Sequence, residues 1–140
     1  MPLFKTLKVW QKSHELVLDV YGVAKGLPAE ERFGLKSQMQ RAAYSIPTNI
    51  AEGQKRGTDR DFAQFLAIAS GSLAELQYLL ILVSDLRYVA AEDAERLTRR
   101  ADELERMLTA FQATVQARHA RRGDIPCAPA MPMRDPGAIG

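Results

Sequence analysis

One cysteine in 140 residues, Cys127, leaves no partner for a disulfide within the chain and no thiolate cluster for a metal, so a reducing cytoplasm is the expected setting. Histidine is nearly as scarce. His14 and His119 are the two present, and neither has a Glu three residues before it, which removes the Glu-x-x-His pairs of a di-iron bundle. His-Glu-x-x-His, Gly-x-Ser-x-Gly, a dinucleotide loop and a Cys-His couple are absent as well, and Gly53 and Gly57 lack the Lys-Ser or Lys-Thr spacing of a P-loop. Glu52 and Glu75 are the one carboxylate pair to consider, and acid-base work would also require a pocket around them. The expectation is a protein without catalysis, cofactor or metal.

Aromatic residues supply 7% of the chain and glycine nine positions, a composition that leans towards helices. A hydrophobic share of 46% with 26% charged residues is ordinary for a soluble globular protein, and the length suits one domain with its own core. The opening residues carry no unbroken apolar run, because Gln11, Lys12, Ser13, His14 and Glu15 follow Trp10; no export signal is expected. Charge is nearly balanced overall at +2 but unevenly placed. Residues 1 to 57 hold nine Lys or Arg against five Asp or Glu, whereas residues 58 to 118 hold seven against ten. That asymmetry points to an anionic partner, or to oppositely charged faces meeting in an oligomer, beside the plain reading of a solvated surface.

What is abundant is helical periodicity. From Leu7 to Leu27, Trp10, Val17, Tyr21 and Ala24 form one stripe flanked by Val9, Leu16, Val20 and Val23, with Lys8, Lys12, Glu15 and Asp19 opposite; Gly26 and Pro28 close the segment. His14, at the stripe's edge, reads as a packing residue. Pro28-Ala-Glu-Glu then opens a second helix, acidic in its first turn, that runs to Gly53. Its apolar face is Leu35, Met39, Ala42, Ile46 and Ile50. Alongside runs a polar row, Gln38, Arg41, Ser45, Asn49 and Glu52, at steps of three or four residues, so these side chains stack along one flank and need partners or a wet interface. Pro47 interrupts the backbone ladder, a cost of roughly 3 kcal/mol unless relieved, and Ser45 and Thr48 are placed to help.

The turn Gln54-Lys-Arg-Gly-Thr-Asp-Arg60 gathers Lys55, Arg56 and Arg60, either a solvated turn or a contact for a nucleic-acid backbone. Thr58 or Asp59 caps a third helix reaching about Leu86. Phe62, Phe65, Leu66, Ala69, Leu73, Leu76, Leu80 and Val83 make its core stripe, yet the opposite side is also apolar: Ala63, Ala67, Ala74 and Ile81 at the back, with Leu82 beside them and Ile68, Leu79 and Leu86 on the flank. One four-helix chain cannot cover a helix apolar on nearly every side, so this back face predicts a second subunit. A membrane span is disfavoured by Gln64, Ser70, Ser72 and Gln77. Glu75 needs a cation, and Arg41 of the same or a neighbouring chain is the candidate.

A fourth helix from about Ala91 to Arg118 has Leu97, Ala101, Leu104, Leu108, Phe111 and Val115 as its seam and a charged outer face. Residues 119 to 140 contain Pro126, Pro129, Pro132 and Pro136 and little core material, which predicts a flexible tail after a bundle domain of residues 1–118; Arg118, Arg121 and Arg122 offer a further anion contact. The fold class expected is all-α, an up-and-down antiparallel four-helix bundle.

Val9-Trp10-Gln11, Phe33-Gly34-Leu35, Gln38, Arg41-Ala42-Ala43, Ser45-Ile46-Pro47, Asn49-Ile50-Ala51-Glu52-Gly53, Phe62, Phe65-Leu66, Ala69, Gly71-Ser72 and Glu75-Leu76 together resemble the signature of a bacterial four-helix-bundle protein family. Its members were first noticed as reading frames within intervening sequences of large-subunit rRNA genes. The resemblance spans about residues 3 to 116 and implies a bundle that assembles into homopentamers, with no established enzymatic activity. A related branch, the accessory proteins of diversity-generating retroelements, binds nucleic acid and a reverse transcriptase as a basic pentameric barrel; this chain is less basic than that branch. Two functions follow as expectations: an oligomeric structural or adaptor protein, or an RNA- or DNA-binding accessory protein acting beside a reverse transcriptase or an rRNA-associated element.

Overall fold

Local sequence sets four helices, and the structure, a computed structural model, describes residues 1–122. A short 3-10 turn, Leu3–Thr6, leads into α1 (Lys8–Ala24); a second, Ala29–Glu31, precedes α2 (Leu35–Lys55); α3 (Asp59–Asp85) and α4 (Ala91–Arg121) follow. The described residues contain no strand. Short connections make successive helices antiparallel neighbours, and α4 returns to pack on α1, which closes an up-and-down four-helix bundle. Its axis is filled by Leu16, Met39, Ile46, Ile50, Leu66, Leu73, Leu76, Leu80, Leu97, Leu104 and Leu108, all fully buried. Burying a side chain of this size contributes about 1.5–3 kcal/mol, so these rows carry most of the fold's stabilisation.

Three boundaries depart from the sequence expectation, each for a physical reason. The second helix does not start at Pro28. Ala29–Glu31 forms a separate turn, the chain swings through Gly34 (φ −102°, ψ −109°), and Glu31 caps α2 from outside: its Oε1 accepts the Leu35 amide at 3.2 Å. Gly53 does not end that helix, which continues to Lys55. The glycine is buried instead, because a Cβ there would lie 2.6 Å from Phe65 Cβ and 3.0 Å from Phe62 Cδ1. α2 and α3 approach that closely. α4 runs three residues past Arg118, and His119 is buried, so the bundle extends beyond the expected boundary; the proline-rich stretch past Arg122 lies outside the described residues.

α3 begins on Thr58, whose Oγ1 accepts the Asp61 amide at 3.1 Å, after Gly57 turns the chain at φ +92°. It ends without a glycine. Arg87 takes the left-handed conformation (φ 60°); the Arg87 N–H reaches the Ser84 carbonyl and the Tyr88 N–H the Val83 carbonyl, each at 3.0 Å. This is the paired-bond helix stop that glycine usually supplies. Tyr88 then packs on the core and its hydroxyl donates to Glu31 Oε2 at 3.4 Å, so Glu31 ties both upper connections together.

The buried line of α1 passes through Val9, Ser13, Leu16, Val17, Val20 and Ala24, one residue round from the Trp10 stripe. Trp10 is drawn outward between Phe4 (ring centroids 5.1 Å) and a parallel-stacked His14 (5.1 Å), while Ser13 is enclosed with its hydroxyl donating to the Trp10 carbonyl at 2.8 Å. Asp19, expected on a solvated face, turns towards α4 and accepts from Arg96 at 2.8 and 3.0 Å, with Arg100 at 3.6 Å.

Candidate functional site

The polar row of α2 lies against α3 for part of its length. Ser45 and Ser72 share a hydrogen bond between hydroxyls at 2.8 Å, and Asn49 Nδ2 donates to the Ser45 carbonyl at 2.7 Å and to its hydroxyl at 3.0 Å. Both Ser45 and Asn49 are half-buried, so these bonds satisfy groups that would otherwise be desolvated at a cost of about 1–3 kcal/mol. Thr48 donates to the Tyr44 carbonyl at 2.7 Å. Thr48 and Asn49 thus bond the carbonyls next to the proline gap, whereas Ser45 is spent on the bridge to α3, and α2 stays continuous through Pro47.

Gln38, Arg41 and Glu52, the rest of the row, are exposed. Glu75 is exposed too, and within one chain it forms no ion pair with Arg41. The Ser45–Ser72 and Gly53–Phe65 contacts fix an antiparallel register that sets Arg41 level with the Glu75 turn. The same register separates Glu52 from Glu75 by roughly nine residues along the axis, about 14 Å, so the two do not form a carboxylate pair. Among the described residues no group of three or more His, Cys, Asp or Glu is placed to hold a metal.

The three cations of the α2–α3 turn divide. Arg56 reaches Glu52 at 3.3 Å and lies over the Phe65 ring at 4.9 Å, which commits it to the bundle; Lys55 and Arg60 are exposed and form no ion pair among the described residues. Arg118 is committed as well. It donates to Asp59 at 3.1 and 3.4 Å, and Arg122 reaches the same carboxylate at 2.9 Å. Hydrogen bonds from Arg118 hold the Asp59 carboxyl below its ordinary range, and those from Arg96 do the same for Asp19. Sequence reasoning missed both clamps, because neither pair is close in sequence; an acidic residue near a bundle seam, level with a cation on the next helix, is the signal that could have found them.

The outward side of α3 is where the expected oligomer face falls. Ala67, Ala74 and Ile81 lie in the open, Ala63 and Leu82 are half-buried, and Gly71 has nothing within 4 Å of a Cβ built on it. Ile68, Tyr78 and Ile81 are 52%, 59% and 56% exposed on this helix. By length and composition α3 is the one described helix able to cross a membrane. Its inner face fills the bundle, and its polar flanks bond to other helices, Ser72 to α2 and Gln77 to Asp102 and Glu105 of α4 at 3.1 Å.

A feature that periodicity did not expose is a groove of about 630 Å³ between the N-terminal turn, α1 and α2, lined by Phe4, Trp10, His14, Val17, Tyr44, Pro47, Thr48, Ala51 and Glu52.

Four antiparallel helices, polar bridges along the α2–α3 seam and an apolar outer stripe define an up-and-down helical bundle built for helix-to-helix packing. Residues 5–110 match the 23S rRNA-intervening sequence protein family, and the chain belongs to that family. A crystal structure of a protein of unknown function from the S23 ribosomal protein family, from Bacteroides thetaiotaomicron, is similar at 27% identity and a TM-score of 0.69, over 74% of this chain and 97% of that one. No curated protein matches. The family carries no assigned activity, and nothing in it or in the similar structure points to catalysis.

Proposed function

We propose that this chain is a non-enzymatic structural or adaptor subunit that works as a cytoplasmic homo-oligomer, a pentamer by family resemblance, and presents a repeated surface to protein partners. The observation that carries the reading is the outer stripe of α3, where Ile68, Tyr78 and Ile81 stand in the open around Ala67, Gly71 and Ala74. Large apolar groups flanking small ones let a second helix approach closely and bury the large ones at its sides. Glu75, on the edge of that stripe and without an ion pair among the described residues, then pairs with Arg41 of a neighbour.

Sedimentation tests this directly. The wild type is expected well above 15.6 kDa at micromolar concentration. Ala74→Glu combined with Ile81→Lys should return it to the mass of one chain while the far-UV helical signal persists, because both side chains are exposed. A well-folded wild-type chain sedimenting at 15.6 kDa overturns the proposal.

A second reading, an RNA- or DNA-binding accessory protein beside a reverse transcriptase or an rRNA-associated element, is favoured by Lys55 and Arg60 alone of the turn's cations. Repetition in a ring would sum such patches into a larger field. Lys55→Ala with Arg60→Ala should weaken binding to structured RNA or DNA uniformly and lower the salt dependence by about one for each phosphate no longer neutralised. Absence of salt-sensitive binding by the wild type removes this reading.

A further inference from the structure

The groove between α1 and α2 is walled by the rings of Phe4, Trp10 and Tyr44 and floored by Pro47, with the Glu52 carboxylate at its rim. Phe4 and His14 both pack on the Trp10 ring, one tilted and one stacked, so the wall is held in place rather than collapsed. Neither the Trp10 indole N–H nor the Tyr44 hydroxyl has a hydrogen-bond partner among the described residues. Glu52 uses one oxygen, Oε2, for Arg56. A braced aromatic wall with a spare donor and a spare carboxylate oxygen is the surface that proline-rich segments recognise, since a polyproline II helix offers flat rings, exposed carbonyls and little entropy to lose.

The chain carries such a segment. Beyond Arg122 the sequence is Gly-Asp-Ile-Pro126-Cys-Ala-Pro129-Ala-Met-Pro132-Met-Arg134-Asp-Pro-Gly-Ala-Ile-Gly140, with Pro126, Pro129 and Pro132 at intervals of three. Three residues make one turn of polyproline II, so prolines at this spacing would share one edge of such a helix on docking, and Arg134 follows two residues later in sequence with a charge opposite to that of Glu52. Topology brings the two together. Asp59, at the start of α3, holds Arg118 and Arg122 at the end of α4, and the groove is formed by the start of α1 and the last turns of α2, so both lie at one end of the bundle. Neighbouring helix axes are about 8–10 Å apart, and the seven residues from Gly123 to Pro129 span about 20 Å when extended.

We propose that the groove is the docking site for the chain's own proline-rich end, residues 126–134, with prolines against Trp10 and Tyr44 and Arg134 on Glu52. The outer face of a second copy's α3 is a poorer occupant, because it has no Lys or Arg between Phe62 and Asp85 to meet Glu52. Tethering adds to the preference, since a short linker holds the segment at an effective concentration of about millimolar.

One tryptophan and one cysteine in the chain make the test clean. A nitroxide on Cys127 quenches only at close range, so the labelled full-length protein should show strongly reduced Trp10 emission that urea restores. Pro129→Gly with Pro132→Gly should recover most of the emission without changing the helical signal, because the bundle is untouched. Arg134→Glu should weaken docking by up to about fivefold, the size of an exposed ion pair, and the swap Glu52→Arg with Arg134→Glu should restore it. Unquenched Trp10 in the labelled native protein overturns the proposal, as does quenching indifferent to the proline and arginine changes. A labelled Trp10→Phe chain mixed with unlabelled wild type should leave the emission unchanged; quenching in that mixture would show a segment donated by another copy and overturn docking within one chain.

Discussion

Gly53→Ala should destabilise the bundle although alanine is the better helix residue, and the sign can be worked from two opposing magnitudes. In a helix interior the exchange alone contributes about 1 kcal/mol of stability. At Gly53 the new Cβ meets Phe65 Cβ at 2.6 Å and Phe62 Cδ1 at 3.0 Å. The first neighbour is the root of a side chain and cannot swing aside, so α2 and α3 must separate, and such overpacking costs about 1–3 kcal/mol. The net loss is about 1 kcal/mol, with room for about 2. Gly22 provides the control, because it is helical and has nothing within 4 Å of an added Cβ. Gly22→Ala is expected to stabilise by about 1 kcal/mol, which makes the gap between the two variants about 1–3 kcal/mol. Urea unfolding followed by circular dichroism, at a fixed chain concentration so that association does not enter, measures both. Equal shifts for Gly53→Ala and Gly22→Ala would refute the close approach of α2 to α3.

Two further perturbations probe the ends of the helices and the clamps between them. Arg87→Gly relieves a left-handed residue at the helix stop and should stabilise by about 1 kcal/mol in the same urea assay, with no change in helix content. Asp19 and Asp59 are both held below the ordinary carboxylate value of 3.8 in the folded chain, by hydrogen bonds from Arg96 and Arg118 respectively. Their stabilisation is therefore complete above that value and disappears as pH falls through the folded pKa values. Asp59→Asn should cost about 1–3 kcal/mol at about pH 7 and converge on the wild type in strong acid, as read from urea midpoints across that range.

The core of this bundle could be read from one chain because it rests on repetition. Met39, Ala42, Ile46 and Ile50 recur at helical steps and are buried, as are Leu97, Ala101, Leu104 and Leu108. What periodicity does not reach is set by single contacts. Gly53 reads as a helix end until the Phe65 ring above it is known, Arg87 gives no sign that it will take glycine's place, and Asp19 looks like one more charge on a wet face. Trp10 misleads for a related reason. As the largest apolar residue of α1 it reads as the centre of the buried stripe, yet a ring of that size finds more cover with Phe4 and His14 outside than in a seam filled by Leu16 and Val20. The polar row is legible as a row but not by residue. Ser45 bonds Ser72 of α3 and Asn49 turns back onto Ser45, while Gln38, Arg41 and Glu52 stand exposed, and the crossing of two helices, which periodicity does not encode, decides between them.

α3 is apolar on nearly every side, and a smooth greasy cylinder could rotate to bury any of its faces. Specific contacts prevent this. Thr58 fixes its start; Ser72 is bonded to Ser45 on one flank; Gln77 reaches Asp102 and Glu105 on the other; and Phe65 fits the hollow that Gly53 leaves. Turning α3 by one residue, about 100°, would break the Ser72 and Gln77 bonds together and drive Phe65 out of the hollow, while the apolar area gained by hiding Ile81 would be given up again at Leu73 or Leu80. Rotation therefore offers no net burial and forfeits several polar interactions worth about 1 kcal/mol each. The outer stripe stays outside because the polar flanks hold it there, which leaves Ile68, Tyr78 and Ile81 to be covered from beyond the chain.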